Sequence, residues 1–282
     1  VEDAEESMDQ PRDEEGGMKR VMVMTDTHCG HRAGLTPPEY NGFIGRNPWA
    51  DMRAVQWKWF KETMEKYKPI DILFNLGDNI DGPGYRSGAS ELISVDPQDQ
   101  VEMAAECIKP IEAEKTFMVR GTPYHTGDKT DYEDILAEKI GAVSIEDQSW
   151  ISVELPDGDV TFDLKHKVGG TSIPHGKGTA AQKEWLWNVI HHHEDEAQPM
   201  ADVFLRGHVH HFSHSEQPTF HAFTCPSLQG LGSKYGSRQC SGVVHFGFLI
   251  FDLTTREEWL KSPRYTKELY MGEFQKATSI KA

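Results

Sequence analysis

This chain has no pairing pattern among its cysteines. There are four, Cys29, Cys107, Cys225 and Cys240, and none stand in the Cys-x-x-Cys spacing of a thiolate zinc site or a redox pair. They read as reduced thiols of a cytoplasmic protein. No apolar run approaches the ~18 residues of a membrane span. No basic segment followed by an apolar stretch opens the chain, so no secretory signal is read there. Basic residues are scarce: 29 Lys and Arg face 45 Asp and Glu, for a net charge of −16. An acidic surface disfavours sequence-blind binding to nucleic acid. It leaves a phosphate substrate open, because bound cations invert the local field. No internal repeat is visible.

What is present suits one large α/β domain. The chain has 282 residues, 37% of them apolar, enough for a sizeable core. Residues 1–17 hold eight acids and one base and end in Gly16-Gly17. They are expected to be a disordered acidic tail ahead of a domain over 18–282. A strand is expected at 21–24. Val55, Trp59, Phe60 and Met64 at helical spacing predict a helix over 50–67, stopped by Pro69. A strand over 71–76 follows, then a helix over 96–109 with Asp96 as its cap. A strand over 116–119 and a helix over 131–140 ending at Gly141 come next. From 150 the period shortens to two, and residues 150–155 and 160–164 read as a hairpin. A helix over 179–192 and strands over 202–206, 219–224 and 243–252 complete the pattern. Strands and helices mixed in both halves predict two sheets packed face to face with helices outside.

Three Asp/His clusters follow three of these apolar strands: Asp26-Thr27-His28, Gly77-Asp78 and Gly207-His208-Val209-His210. Chemistry placed just past buried strands is how an α/β sheet builds a site at its carboxyl edge. Asp26 and His28, two apart in extended chain, would point the same way and could reach one metal. His208 and His210 repeat that spacing. Gly77, Gly121 and Gly207 are each expected to turn the chain sharply through positive φ and expose the next side chain. Oxygen and nitrogen ligands without cysteine suit Mn, Fe, Zn or Mg. Asp78 at such a turn could bridge two cations. His166, flanked by lysines at a strand end, is either a half-exposed histidine or a further nitrogen ligand. The reading these clusters open is a two-metal phosphoester hydrolase.

In chain order, Asp26-x-His28, Gly77-Asp78-x-x-Asp81, Arg120-Gly121 followed by a histidine, the lone His166 and Gly207-His208-x-His210 resemble the calcineurin-like metallophosphoesterases. The resemblance runs from about residue 20 to residue 253. It implies a four-layer α/β/β/α sandwich of two mixed sheets flanked by helices. It also implies a dinuclear centre, with Mn first and Fe, Zn, Ni or Mg admitted. Asp26, His28 and His210 would hold one ion, His166 and His208 the other, and Asp78 would bridge. The implied activity is hydrolysis of a phosphomonoester or phosphodiester by metal-activated water. One motif departs. The family has Gly-Asn-His after the third strand, whereas this chain reads Gly121-Thr122-Pro123-Tyr124-His125. Thr122 takes the asparagine's place, and His125 comes two residues late, as general acid or replacement ligand. Such variants resemble bacterial and phage branches. The departure keeps open a catalytically impaired scaffold, and a nuclease-type role also stays open.

Asp81 is either a second-layer acceptor orienting a ligand histidine or an Asp-Gly turn residue. Arg120 and Arg32 are candidates for substrate phosphate. His191-His192-His193 reads as a helix end. Trp57, Trp59, Trp185 and Trp187 read as packing. His211, His214 and His221 are given no metal role. The loops over 29–48, 82–95 and 167–178 carry no motif that selects among nucleotide, small-molecule and nucleic-acid substrates.

Overall fold

Strand β1 (Lys19–Met24) shows how the layers arise. Alternate side chains of a strand face opposite ways. Met22 and Met24 enter one apolar cluster with Phe60, Met64, Val101, Leu136 and Phe248. Val21 and Val23 enter another with Phe162, Leu164, Val203, Leu205 and Phe251. A third cluster joins Ala181, Phe204, Phe220 and Ala222. Three apolar interfaces need four layers. The computed structural model describes residues 17–42, 48–85, 87–127, 129–171, 173–194, 197–232 and 244–272.

The first sheet has six strands, with β2 (Ile72–Asn75), β3 (Lys115–Val119), β4 (Ser144–Glu146), β10 (Gly247–Leu253) and β11 (Tyr265–Leu269) in the order β11-β10-β1-β2-β3-β4. Its strands β1 to β4 run parallel, while β10 and β11 are antiparallel. The second sheet is β5-β6-β7-β9-β8, from β5 (Gln148–Val153), β6 (Val160–Lys165), β7 (Val203–Arg206), β8 (Ser213–Gln217) and β9 (Phe220–Thr224). There β6, β7 and β9 are parallel. Helices α1 (Pro48–Glu65), α2 (Pro97–Ile108) and α4 (Tyr132–Ile140) feed the first cluster, and α5 (Thr179–Glu194) covers the third. The short α3 (Pro123–Thr126) and α6 (Arg256–Lys261) complete the described α-helices. This is the expected four-layer α/β/β/α sandwich.

The inner seam is aromatic. Phe162 meets Phe74 at 5.2 Å and Trp259 at 6.1 Å between ring centres. Each such ring taken from water contributes about 1.5–3 kcal/mol. The expected caps hold: Asp96 accepts from Gln98 N at 2.9 Å, and Gly141 closes α4 at φ 69°. Trp59 packs among Phe246, Phe248 and Tyr270, and Trp185 stacks on Phe220 at 4.5 Å. Trp187 departs from the packing expectation, being 56% exposed. Strand β10 begins at Gly247, later than expected, with residue 243 outside the described residues. Strands β4, β8 and β11 were not legible. All three are edge strands, and sequences such as Ser213–Gln217 (SHSEQ) give no apolar alternation to read. The acidic tail and Cys240 lie outside the described residues. Cys29, Cys107 and Cys225 are free and buried. Among the described residues no helix is long and apolar enough to cross a membrane.

Candidate metal centre

Both sheets deliver polar side chains to one edge of the sandwich. Asp26, Asp78 and Thr122 follow the carboxyl ends of the parallel strands β1, β2 and β3. His166 follows β6, and His208 and His210 follow β7. Two poles result. At the first, Asp26, His28 and His210 each offer a ligand atom within 4.8 Å of the others. At the second, Asp78, His166 and His208 do the same. Asp78 also groups with His28 and His125, so it stands at the corner between the poles. Each pole takes ligands from both sheets: His210 comes across to Asp26 at 3.0 Å, and His166 to Asp78 at 3.0 Å.

The backbone that presents these groups is not extended, contrary to the spacing argument. Asp26, His28, Asp78, His208 and His210 all have positive φ, between 44° and 70°. A left-handed conformation costs a non-glycine residue about 1–2 kcal/mol. Cross-bonds hold it in place. Asp26 N donates to Gly77 O at 2.9 Å, His28 N to Asp78 O at 3.0 Å, and His208 N to Asp26 Oδ2 at 3.0 Å. Among the three glycines, only Gly77 turns through positive φ, at 83°. Gly121 and Gly207 serve close approach instead. A Cβ at Gly121 would collide with Asp78 Oδ1, and one at Gly207 with Thr25 Oγ1.

Outer hydrogen bonds aim the rings. His28 Nδ1 donates to Asp81 Oδ1 at 2.9 Å, and His166 Nδ1 donates to Leu76 O at 2.7 Å. Anchoring the far nitrogen in this way fixes the tautomer and leaves Nε2 for a ligand. His28 Nε2 is buried and has no hydrogen-bond partner, 3.7 Å from Asp26 Oδ1. Burial opposes charging this ring, but Asp26 and Asp81 outweigh it and raise its pKa; a buried ring nitrogen without a hydrogen-bond partner among carboxylates is a place where a cation could replace the proton. The donor set therefore fits divalent ions at both poles.

Charge is paired within the cluster. Burial works against ionising Asp26, but His210 and His166 outweigh it and hold the carboxyl well below the usual range. Asp78 is likewise lowered against its burial, chiefly by His166. The same pairing lifts His166 to about 9, because the Asp78 and Asp26 charges overcome its desolvation. His208 is lowered by burial and by His166.

His31 lies beside the cluster, 3% exposed, and its Nδ1 accepts from Ala33 N at 3.0 Å. Burial pushes its pKa down from 6.5 to about 4, with Asp81 opposing. The folded chain therefore binds fewer protons than the unfolded one in that window, and stability is lost as pH falls from about 6.5 through about 4. His31→Gln should flatten this part of the slope, by up to about 3 kcal/mol. Urea midpoints near pH 7 and pH 5 check it, and parallel slopes in both proteins would refute it.

The two arginines named for substrate phosphate are engaged by carboxylates. Arg120 gives its guanidinium to Asp134 at 2.7 Å and Asp147 at 3.2 Å. Arg32 pairs with Glu91 at 2.8 Å, donates to Gly232 O at 2.8 Å, and lies over Trp49. Arg32 Nε is buried without a hydrogen-bond partner. Two residues gain importance. Glu133 is fully buried and accepts from Asn79 N and Nδ2 at 2.7 Å and from Gly121 N at 2.6 Å, tying the Asp78 and Thr122 loops together. Burial and the Asp78 charge push its pKa up to about 7. In the sequence it looks like a first-turn helix acid after Asp131. Thr122 Oγ1 lies 3.2 Å from Asp78 Oδ2, 3.3 Å from His166 Nε2 and 3.4 Å from His208 Nδ1.

No family model matches the chain, and no curated protein matches it. Solved structures with similar folds include a novel archaeal phosphodiesterase, at 13% identity and TM-score 0.45, covering 89% of this chain and 99% of the other. Vacuolar Protein Sorting 29 from Cryptosporidium parvum matches at 13% identity and TM-score 0.45, over 90% and 98%. The phosphopantetheinyl hydrolase of Mycobacterium tuberculosis matches at 11% identity and TM-score 0.36, over 78% and 98%. What these likenesses share with this chain is the fold; the chain's own geometry is a four-layer sandwich with two groups of Asp and His side chains converging at the carboxyl edge of its sheets.

Proposed function

We propose that the chain is a metal-dependent phosphoester hydrolase. The observation that carries this reading is the place of Asp78, at the corner shared by two His/Asp poles. Asp26, His28 and His210 would hold one divalent ion, and His166 and His208 the other, with Asp78 between. Manganese is the first candidate, and Fe, Zn, Ni or Mg suit the same donors. Two cations so held would supply a water of lowered pKa and polarisation of phosphoryl oxygens. Asp81 positions the His28 ring.

Of the two roles open to His125, the geometry favours ligand over acid. Its Nδ1 donates to the Asp81 carbonyl at 2.8 Å, which leaves the Nε2 lone pair for the centre. Burial and His28 lower its pKa, in keeping with that role.

Thr122 Oγ1 faces the second pole where the family carries asparagine. Thr122→Ala should weaken binding of one ion by about tenfold or more, as outer-ligand losses do. Calorimetric titration with Mn²⁺ reads this, and unchanged affinities at both sites would remove Thr122 from the centre.

Mn²⁺-loaded protein should hydrolyse bis-p-nitrophenyl phosphate or p-nitrophenyl phosphate, and the metal-free control should not. Single-stranded and duplex oligonucleotides in the same panel test a nuclease-type activity. The threonine in place of asparagine favours a second reading, an inactive scaffold. Two bound ions with no turnover of any of these substrates would establish that reading and end the first.

A further inference from the structure

Two histidines outside the motifs form a ligand cluster of their own. His214 and Glu216 lie on β8, and His221 lies on β9. The antiparallel register sets Glu216 opposite His221. His214 shares the face of Glu216, because strand side chains alternate. His214 Nε2 is 3.2 Å from His221 Nδ1, and Glu216 Oε2 is 3.9 Å and 4.0 Å from those two nitrogens. One donor atom from each residue lies within 4.8 Å of the others.

The far nitrogens are anchored. His214 Nδ1 lies 3.2 Å from the Tyr265 hydroxyl on β11, and His221 Nε2 lies 3.4 Å from the Leu260 carbonyl on α6. The His214 ring stacks on Phe223 at 4.2 Å, and the His221 ring meets Trp259 edge-on at 5.2 Å. Both imidazoles are therefore aimed before any ion arrives. Burial lowers the pKa of both rings, toward the neutral state that a cation binds, and pushes His214 down to about 4. The Glu216 side chain is 66% exposed and can swing the remaining distance.

Two imidazole nitrogens on one tetrahedral zinc, at about 2.0–2.1 Å each, stand about 3.3 Å apart. The observed separation matches. We propose that His214, Glu216 and His221 form a third cation site, for an ion of the zinc class, with its fourth position open to solvent. The site is independent of the hydrolase reading.

Proton bookkeeping balances. Without an ion, Tyr265 O–H donates to His214 Nδ1, His214 Nε2–H to His221 Nδ1, and His221 Nε2–H to Leu260 O. With an ion, the His214 proton sits on Nδ1 and donates to the Tyr265 oxygen. Neither neutral ring loses its proton, and the ion replaces a single hydrogen bond. It would clip the edge strand β8 to β9.

The chelator-stripped full chain, titrated with Zn²⁺ and then analysed for bound zinc, tests this. Wild type should bind one equivalent more than His214→Asn/His221→Asn. Glu216→Gln, at an exposed position that folding tolerates, should weaken that equivalent by about tenfold. The extra equivalent should persist in Asp78→Asn, which separates this site from the two poles. Equal zinc counts and equal affinities in wild type, Glu216→Gln and the double variant would overturn the proposal.

Discussion

Asp78→Asn should cut phosphoester turnover by about 10³-fold or more, a loss of about 4 kcal/mol of barrier lowering, and should bring the divalent ions held at the two poles from two to at most one. The substitution is nearly isosteric. An asparagine can still accept from Thr122 N, which now meets Asp78 Oδ1 at 2.5 Å. It cannot supply a second anionic oxygen where Oδ2 meets His166 Nε2 at 3.0 Å. The charge that serves both poles disappears while the fold persists. Metal counting and turnover, with circular dichroism as the fold control, read the result. Full activity with two ions bound would dismiss Asp78 as the shared ligand.

The second large effect is on stability. Arg206 is 0% exposed at the end of β7. It donates to Asp163 O at 2.8 Å, Leu205 O at 3.0 Å, Asp163 Oδ2 at 3.0 Å and Glu184 Oε2 at 3.1 Å. Arg206→Met would leave the Asp163 carboxylate, 1% exposed, with Gln148 as its remaining side-chain donor. Removing one partner of a buried ion pair costs about 3–5 kcal/mol. The urea midpoint should fall accordingly. Arg206→Met/Asp163→Leu should recover much of the loss, because the fully buried carboxylate leaves with its partner, while Glu184, a quarter exposed, can reach water. A single variant within about 1 kcal/mol of wild type would show that the pair contributes little.

The sequence disclosed the interior and concealed the rim. Strands β1, β2, β3, β6 and β7 were readable because apolar side chains run through them, and the ligand clusters were readable because they follow those strands. The edge strands β4, β8 and β11 were not, since their pairing is decided by neighbours rather than by their own residues. Within the centre, spacing singled out side chains that converge but misjudged how they are presented. A run such as Asp26-Thr27-His28 carries no local sign of left-handed backbone, which Gly77 O and Asp78 O impose from the next strand. Glu133 escaped notice because its role depends on Asn79 and Gly121, both distant in sequence. The carboxylate partners of Arg120 and Arg32 escaped notice for a related reason, since they lie on other elements.

Each pole takes donors from opposite halves of the sandwich, and this has a mechanical consequence. A cation seated there would rivet one slab to the other along their common rim. The His166–Asp78 and His210–Asp26 contacts, each at 3.0 Å, already span that gap, so a cation would exchange one kind of clasp for another.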